Sequence, residues 1–356
     1  MKILINIPCL DLIGGVVSQY VGLAPYWTED IKYNIVGKRT EKKATGIYWI
    51  SWDVIKFLSV IFRWHPNAVL LNPSMGKTAI LRDMIFLVIS SALGKKTFIF
   101  IHGWDKEFAL KLNKKLFVRF CNKATGVFVL ANEFKSELLK WGIKVPILPA
   151  TTKVDNRLLE SFDINSRDGR IKTILFLARI EITKGILIAI DTFKILKQKY
   201  PELKFKIVGN GSALAKSKKY VIDNKITDVE FTGNLSGVAL IDAFKSGDLY
   251  ILPSYTEGMP TSVLEAMAFG LPVITRPVGG LSDIIKNDLM GYKTKSLNPE
   301  SFARRIEILL KSPEECLKMS LFNYQYAKDH FMASEVAKYI ESKIKNSKNK
   351  EAIKPN

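Results

Sequence analysis

The chain has 356 residues and carries 53 Lys and Arg against 34 Asp and Glu, a formal charge of +19 at pH 7. Apolar residues make up 47% and charged residues 24%, the balance of a globular protein long enough for two cores. Cys9, Cys121 and Cys316 are too scattered for a disulfide framework or a zinc pattern, and so basic a chain calls for an anionic partner: nucleic acid, a membrane surface or a phosphorylated substrate.

The N-terminus, MKILINIP, is not a signal peptide: a five-residue apolar run ends at Pro8, and residues 2–7 read as a strand. Gly14 and Gly15 follow, at the start of a helix near 15–24, where glycine lets backbone approach a ligand closely. Further strands are expected at 33–37, 68–72, 97–102, 126–131 and 145–149, with helices near 53–63, 78–93, 106–122 and 132–141. Several strands are apolar on both faces, as in buried parallel sheets, and the repeated β-α rhythm predicts a doubly wound domain over 1–150. The most hydrophobic region, 79–101, is broken by Arg82, Asp83, Lys95 and Lys96. No run reaches the roughly 18 residues of a spanning helix. His102 ends one strand and precedes Gly103, Trp104 and Asp105. A lone histidine there is commonly a hydrogen-bonded structural residue; facing a cleft it becomes a ligand contact. In 105–124, Phe108, Leu112, Leu116 and Phe120 fall on one helical stripe, with Lys111, Lys114, Lys115 and Arg119 on other faces. The expectation is a surface helix on the sheet whose basic face can meet anionic lipid headgroups.

Residues 151–170 are polar and lose the rhythm, and read as a linker. A second α/β domain over 171–330 follows, with strands at 173–179, 205–209, 229–233, 248–254 and 272–275 and helices near 184–200, 212–224, 236–246 and 261–269. Arg179 ends its first strand and Lys184 opens the next helix, with Thr183 as N-cap. The two cations would share one rim, a planar fork and a point charge suited to phosphate oxygens. Further on, the buried strand DLYILPS runs into SYTEGMP, and a helix starts at Thr261 or Ser262 and stops at Gly270. Free amides and the dipole at such a start make an anion site. Glu257 on the loop can reach ligand hydroxyls, and Glu265 in the helix can accept hydrogen bonds from a vicinal diol. Phosphates flanked by two polyols describe a nucleotide sugar. Two glutamates eight apart occur by chance; the ordered pattern around them carries the signal. A helix over 331–346 is expected to pack back on the first domain, followed by a disordered basic tail at 347–356.

The motifs ARIEITKG (178–185), VGNG (208–211), FTGNLS (231–236), YTEGMPTSVLEAMAFGLPVI (255–274) and VGG (278–280) cover most of 173–285. They resemble the nucleotide-binding domain of the retaining GT-B glycosyltransferases of family 4 (glycosyl transferases group 1). The resemblance implies an α/β architecture of two doubly wound Rossmann-like domains facing across a cleft, acceptor on the first and nucleotide sugar on the second. It implies that Arg179 and Lys184 hold the donor diphosphate, Glu257 contacts the transferred sugar and Glu265 the ribose hydroxyls. The backbone of Gly258, Met259, Pro260 and Thr261 would cap phosphate and sugar. Gly233, Asn234 and Leu235 would lie near the base, Gly14 and Gly15 against phosphates and acceptor, and His102 would help hold the donor sugar. The implied reaction moves a sugar from a UDP-sugar or GDP-sugar to an acceptor hydroxyl with retention, by front-face attack. No cofactor is implied, and no metal: the acids are scattered and no Asp-x-Asp occurs. The expected setting is surface polysaccharide or glycolipid biosynthesis in the cytoplasm, with a glycan or lipid-linked glycan acceptor and peripheral contact with the inner membrane face.

Other readings are weaker. The first βα turn lacks G-x-G-x-x-G, and VGNGSA has the wrong spacing, which argues against a nicotinamide oxidoreductase. No nucleic-acid recognition motif accompanies the charge. Epimerases and phosphorylases share the architecture, but the setting of the two glutamates favours transfer. A non-catalytic GT-B relative that binds nucleotide sugars or anionic glycans would keep every motif.

Overall fold

The computed structural model describes residues 1–8, 15–37, 46–73, 77–104 and 106–347. Two compact units divide the chain: Met1–Thr151 with Ala333–Asn356, and Thr152–Met332.

In the first unit six strands, β1 (Lys2–Pro8), β2 (Asp30–Val36), β3 (Ala68–Leu71), β4 (Lys96–Ile101), β5 (Gly126–Val129) and β6 (Ile147–Pro149), pair in parallel in the order β2-β1-β3-β4-β5-β6. Every residue of β3 and β5 is buried, which is why they read as unbroken apolar runs. The helices are α1 (Gly15–Leu23), α2 (Gly46–Trp64), α3 (Lys77–Ala92), α4 (Lys106–Lys111), α5 (Lys114–Cys121) and α6 (Asn132–Trp141).

The single helix expected over 106–122 is two. The Asn113 side chain accepts from the Leu116 amide at 3.1 Å and caps a new helix, a local bond that competes with continuation of the old one. The break rotates the stripe: Ala109, Phe117 and Cys121 are buried, whereas Leu116 is exposed.

The second unit repeats the plan. Strands β7 (Thr173–Leu177), β8 (Lys204–Val208), β9 (Val229–Gly233), β10 (Leu249–Leu252), β11 (Val273–Thr275) and β12 (Gly291–Lys293) pair in parallel in the order β12-β11-β10-β7-β8-β9. Its helices are α7 (Ile186–Lys199), α8 (Leu214–Asp223), α9 (Gly237–Ser246), α10 (Thr261–Ala268), α11 (Leu281–Ile284), α12 (Pro299–Leu310) and α13 (Pro313–His330). The chain leaves β7 for β8 and β9 on one side and returns to β10 on the other. Strand order therefore reverses between β7 and β10, the position where doubly wound sheets bind ligands at strand carboxyl ends.

The stretch 151–170, expected as a linker, is built into the second unit from Thr152 onward. Val154 donates its amide to the Phe331 carbonyl at 2.7 Å. Asp155 and Asp163 cap short 3-10 turns at Asn156–Leu159 and Ile164–Ser166. Arg167 sends its guanidinium to the carbonyls of Phe244, Lys245, Gly247 and Phe269, at the carboxyl ends of α9 and α10. The polarity that reads as a linker is that of caps and one inserted cation.

A last helix, α14 (Ala333–Asn346), closes the first unit against α1. The Glu341 carboxylate accepts from the Thr28 amide (2.8 Å), the Thr28 hydroxyl (2.7 Å) and the Glu29 amide (2.8 Å). The tail beyond Ser347 lies outside the described residues. Among the described residues no helix is long and apolar enough to cross a membrane.

Candidate functional site

Two motif loops of the second unit meet at the strand reversal. Arg179 follows β7, and the Glu257 loop follows β10. Lys184 donates to both Glu257 oxygens, each at 2.7 Å, so residues 73 apart in sequence form one ion pair. Glu257 is almost fully covered, its side chain 5% exposed, and also accepts from the Ser254 hydroxyl at 2.7 Å. Two donors on one buried carboxylate fix its orientation. Arg179 is exposed and has no side-chain hydrogen bond or ion pair among the described residues, so its fork is open to an anion.

Lys184 stands one step earlier than its sequence reading places it. It ends a 3-10 turn, Ile182–Lys184, and α7 begins at Ile186 with Gly185 as N-cap. Thr183 is therefore not the cap; its carbonyl accepts from the Tyr255 amide at 2.9 Å. Gly185 has φ +74°, and a Cβ there would sit 2.3 Å from the Pro253 carbonyl oxygen, so a residue able to cap with its side chain does not fit.

The remaining motifs brace these loops. In VGNG, the Asn210 carbonyl accepts from the Ile180 amide, and the Ala213 amide donates back to Ile180. In VGG, the Gly280 amide donates to the Gly258 carbonyl at 2.7 Å. Gly279 has φ +53°, and a Cβ would lie 2.2 Å from the Glu257 carbonyl oxygen, so the two segments meet backbone to backbone.

Helix α10 starts at Thr261 after Pro260, which offers no side-chain cap. Its first amides present an uncapped positive end beside Gly258 and Met259. Ser262 is held by the Tyr250 hydroxyl at 2.7 Å. Glu265 lies one turn further on. Burial pushes its carboxyl up to about 7, with Lys153 pulling it down and Asp155 pushing it up. Gly233 ends β9 with φ +75°, and Asn234 and Leu235 follow in the connection to α9.

In the first unit His102 follows β4 directly. Its Nε2 is 2.8 Å from Asn72 Oδ1, and its ring stacks on Phe100 and meets Tyr20 edge-on. Asn72 donates Nδ2 to the Asn6 carbonyl at 2.7 Å, which leaves Oδ1 as acceptor for both His102 and the Tyr20 hydroxyl. His102 therefore carries its proton on Nε2. The ring keeps some accessible surface, but the enclosure by Phe100, Tyr20 and Asn72 dominates, and burial pulls its pKa down to about 3. Gly15 opens α1 with empty space where a Cβ would be, whereas Gly14 and Asp105 lie outside the described residues. Trp104 stacks on Phe134 and packs against Trp141.

Sequence reasoning missed Ser254, Asn72, Tyr20, Lys153 and Asp155. Ser254 and Asn72 stand at strand carboxyl ends, a position that could have flagged them. Lys153 and Asp155 were hidden in the apparent linker. A hollow of about 520 Å³ lies at the opposite, amino-terminal edge of β7, β8 and β9 and holds none of the motif residues.

Residues 159–326 match the family model described as Glycosyl transferases group 1. The second unit is a group 1 glycosyltransferase domain. An uncharacterized glycosyltransferase of Haemophilus influenzae is 32% identical over 151 residues, 42% of this chain and 42% of the relative. The amylovoran biosynthesis glycosyltransferase AmsK of Erwinia amylovora is 27% identical over 228 residues, 61% of this chain and 54% of the relative. The chain thus spans about half the length of these curated relatives. Among solved structures, Anabaena Alr3699/HepE in complex with UDP and glucose superposes with a TM-score of 0.73 at 16% identity, covering 97% of this chain and all of that one. Sucrose-phosphate synthase from Thermosynechococcus elongatus gives 0.73 at 14% identity, covering 97% and 98%. Together with the two six-stranded parallel sheets, these likenesses show the GT-B fold, with the group 1 domain as its second half.

Proposed function

We propose that the chain is a retaining glycosyltransferase that moves a sugar from a nucleoside-diphosphate sugar to an acceptor hydroxyl. The second unit takes the donor and the first the acceptor. The observation that carries this reading is the charge arrangement at the β7/β10 reversal. Arg179 follows β7, Lys184 is paired with Glu257 beyond β10, and α10 starts uncapped after that same loop, and together they would receive a diphosphate. Lys184 spends two of its three donors on Glu257 and keeps one for a phosphate oxygen. As the glycosidic bond breaks, negative charge grows on the leaving phosphate. Fixed donors aimed there lower the barrier, each worth about 10²- to 10³-fold in rate.

Glu257, held by Lys184 and Ser254, would accept from hydroxyls of the transferred sugar. Glu265 in its ionised form accepts from the ribose diol. Gly258, Met259, Pro260 and Thr261 offer backbone to phosphate and sugar, and Gly233, Asn234 and Leu235 flank the base. On the first unit, Gly14 and Gly15 approach phosphates and acceptor. His102, neutral and protonated on Nε2, offers Nδ1 as an acceptor for a sugar hydroxyl. The acceptor oxygen attacks the anomeric carbon on the face the diphosphate leaves, and its proton passes to the departing phosphate.

The complex of HepE with UDP-glucose and the amylovoran biosynthesis to which AmsK belongs support a UDP-sugar or GDP-sugar donor and a polysaccharide or lipid-linked glycan acceptor. With a charge of +19, the protein would work in the cytoplasm at the inner membrane face.

The test is a thermal-shift and hydrolysis screen of UDP-, GDP- and ADP-sugars with wild type, Glu265→Ala and Lys184→Ala. One nucleotide sugar should stabilise the wild type alone and be slowly hydrolysed. Equal stabilisation of the variants would sink the site. Binding with no turnover in the presence of acceptor extracts would place the chain among non-catalytic relatives.

A further inference from the structure

The first unit carries an apolar, cationic face that the donor chemistry does not use. On α2, Trp52, Ile55 and Phe62 are each more than half exposed, and their spacing of three and seven puts them on one stripe. Lys56 and Arg63 flank that stripe and are exposed. Helix α2 packs on α3, and α3 on α5. Leu81 of α3 is 52% exposed and Leu116 of α5 45%, and both line one shallow hollow of about 200 Å³ that Lys111 also borders. Exposed apolar side chains gathered in this way mark an interaction site rather than ordinary surface.

The charges choose the partner. The only acids of α2 and α3 from Trp52 onward are Asp53 and Asp83, and both are buried, at 3% and 4% exposure. Helix α5 has no acid at all, whereas Lys114, Lys115 and Arg119 are exposed on it. The face thus shows tryptophan, phenylalanine and aliphatic groups to solvent with cations between them and no exposed acid among these residues. Aromatic and aliphatic groups partition into the headgroup–acyl boundary, and the interleaved cations meet anionic headgroups. Nucleic acid would match the cations but leave Ile55, Leu81 and Leu116 without use.

We infer that the first unit docks on an anionic lipid surface by inserting the Trp52–Ile55–Phe62 stripe of α2, with the cations of α2 and α5 as its electrostatic collar. This rests on the peripheral-membrane reading above. It moves the contact from a purely electrostatic touch of the 106–122 region to insertion by α2.

The experiment is co-sedimentation of the full chain with vesicles of phosphatidylcholine alone or mixed with phosphatidylglycerol. Wild type is compared with Trp52→Ser/Phe62→Ser and with Lys114→Glu/Lys115→Glu, all checked for unchanged melting temperature. Wild type should bind the anionic vesicles and not the neutral ones. The Trp52/Phe62 variant should lose about tenfold or more in partitioning, since two large apolar groups leave the boundary. If that variant partitions like wild type while the lysine variant does not, insertion by α2 is wrong and the membrane reading stands. If wild type binds no vesicle at low salt, both are wrong. A dimer in solution that Trp52→Ser/Phe62→Ser dissolves, without vesicle binding, would assign the face to a second copy and overturn the inference.

Discussion

Two carboxylates eight residues apart have opposite electrostatic surroundings. Glu257 is buried with an ammonium and a hydroxyl on it. Removing its partner strands a buried charge, so Lys184→Ala should cost about 3 kcal/mol in a denaturant melt, and Glu257→Gln on top should recover much of that. Recovery below a third would show that the lysine matters for packing instead. Glu265 keeps some accessible surface, but the enclosure of its carboxyl dominates, Lys153 only partly offsets the desolvation, and the carboxyl rises from an ordinary 4.5 to about 7. A raised pKa means that the neutral form is favoured in the fold. Stability from it is complete below pH 4.5 and lost as pH rises through 7. Relative to Glu265→Gln, wild type should lose up to ~3 kcal/mol over that window, which melts at stepped pH would register. A diol that donates both hydroxyls to the ionised form should also draw the proton off. Donor binding near pH 6.5 should release protons in wild type and not in Glu265→Gln, readable by calorimetry in buffers of different ionisation heat.

At the scale of elements, Gly185, Gly279 and the buried Arg167 hold loops rather than ligands. Gly279→Ala would put a methyl against the Glu257 carbonyl at a left-handed φ. It should cost about 1–3 kcal/mol and weaken donor binding together, because the loop that moves is the one that carries Glu257. A stability loss with unchanged nucleotide affinity would separate the brace from the site. Elements were legible in proportion to how local their causes are. The apolar runs of β3, β5 and β10 need only their own residues to declare themselves. Asn113 broke the 106–122 helix through a side chain that looks innocuous in a helical pattern. Gly185 displaced Thr183 because Pro253, nearly 70 positions away, leaves no room for a Cβ.

The whole molecule has two units, and in each a polar residue ties together segments remote in sequence. Arg167 ties the start of the second unit to the ends of α9 and α10, and Glu341 ties α14 to residues 28 and 29. Denaturant unfolding should therefore show two transitions. Arg167→Ala should lower only one of them and Glu341→Ala only the other, each by about 2–4 kcal/mol. A single shared transition shifted by both variants would contradict that division. The sequence by itself determined the β-α rhythm, the two sheets and the motif set of the group 1 domain. Those follow from hydrophobic periodicity and from glycines, prolines and charges at fixed short spacing. Only the tertiary structure decided that Lys184 closes on Glu257, that Asn72 sets the tautomer of His102, that Glu265 is desolvated, and that the polar stretch at 152–170 is built in. Each of these depends on atoms brought together from distant parts of the chain, and burial and hydrogen-bond partnership have no signature in local spacing.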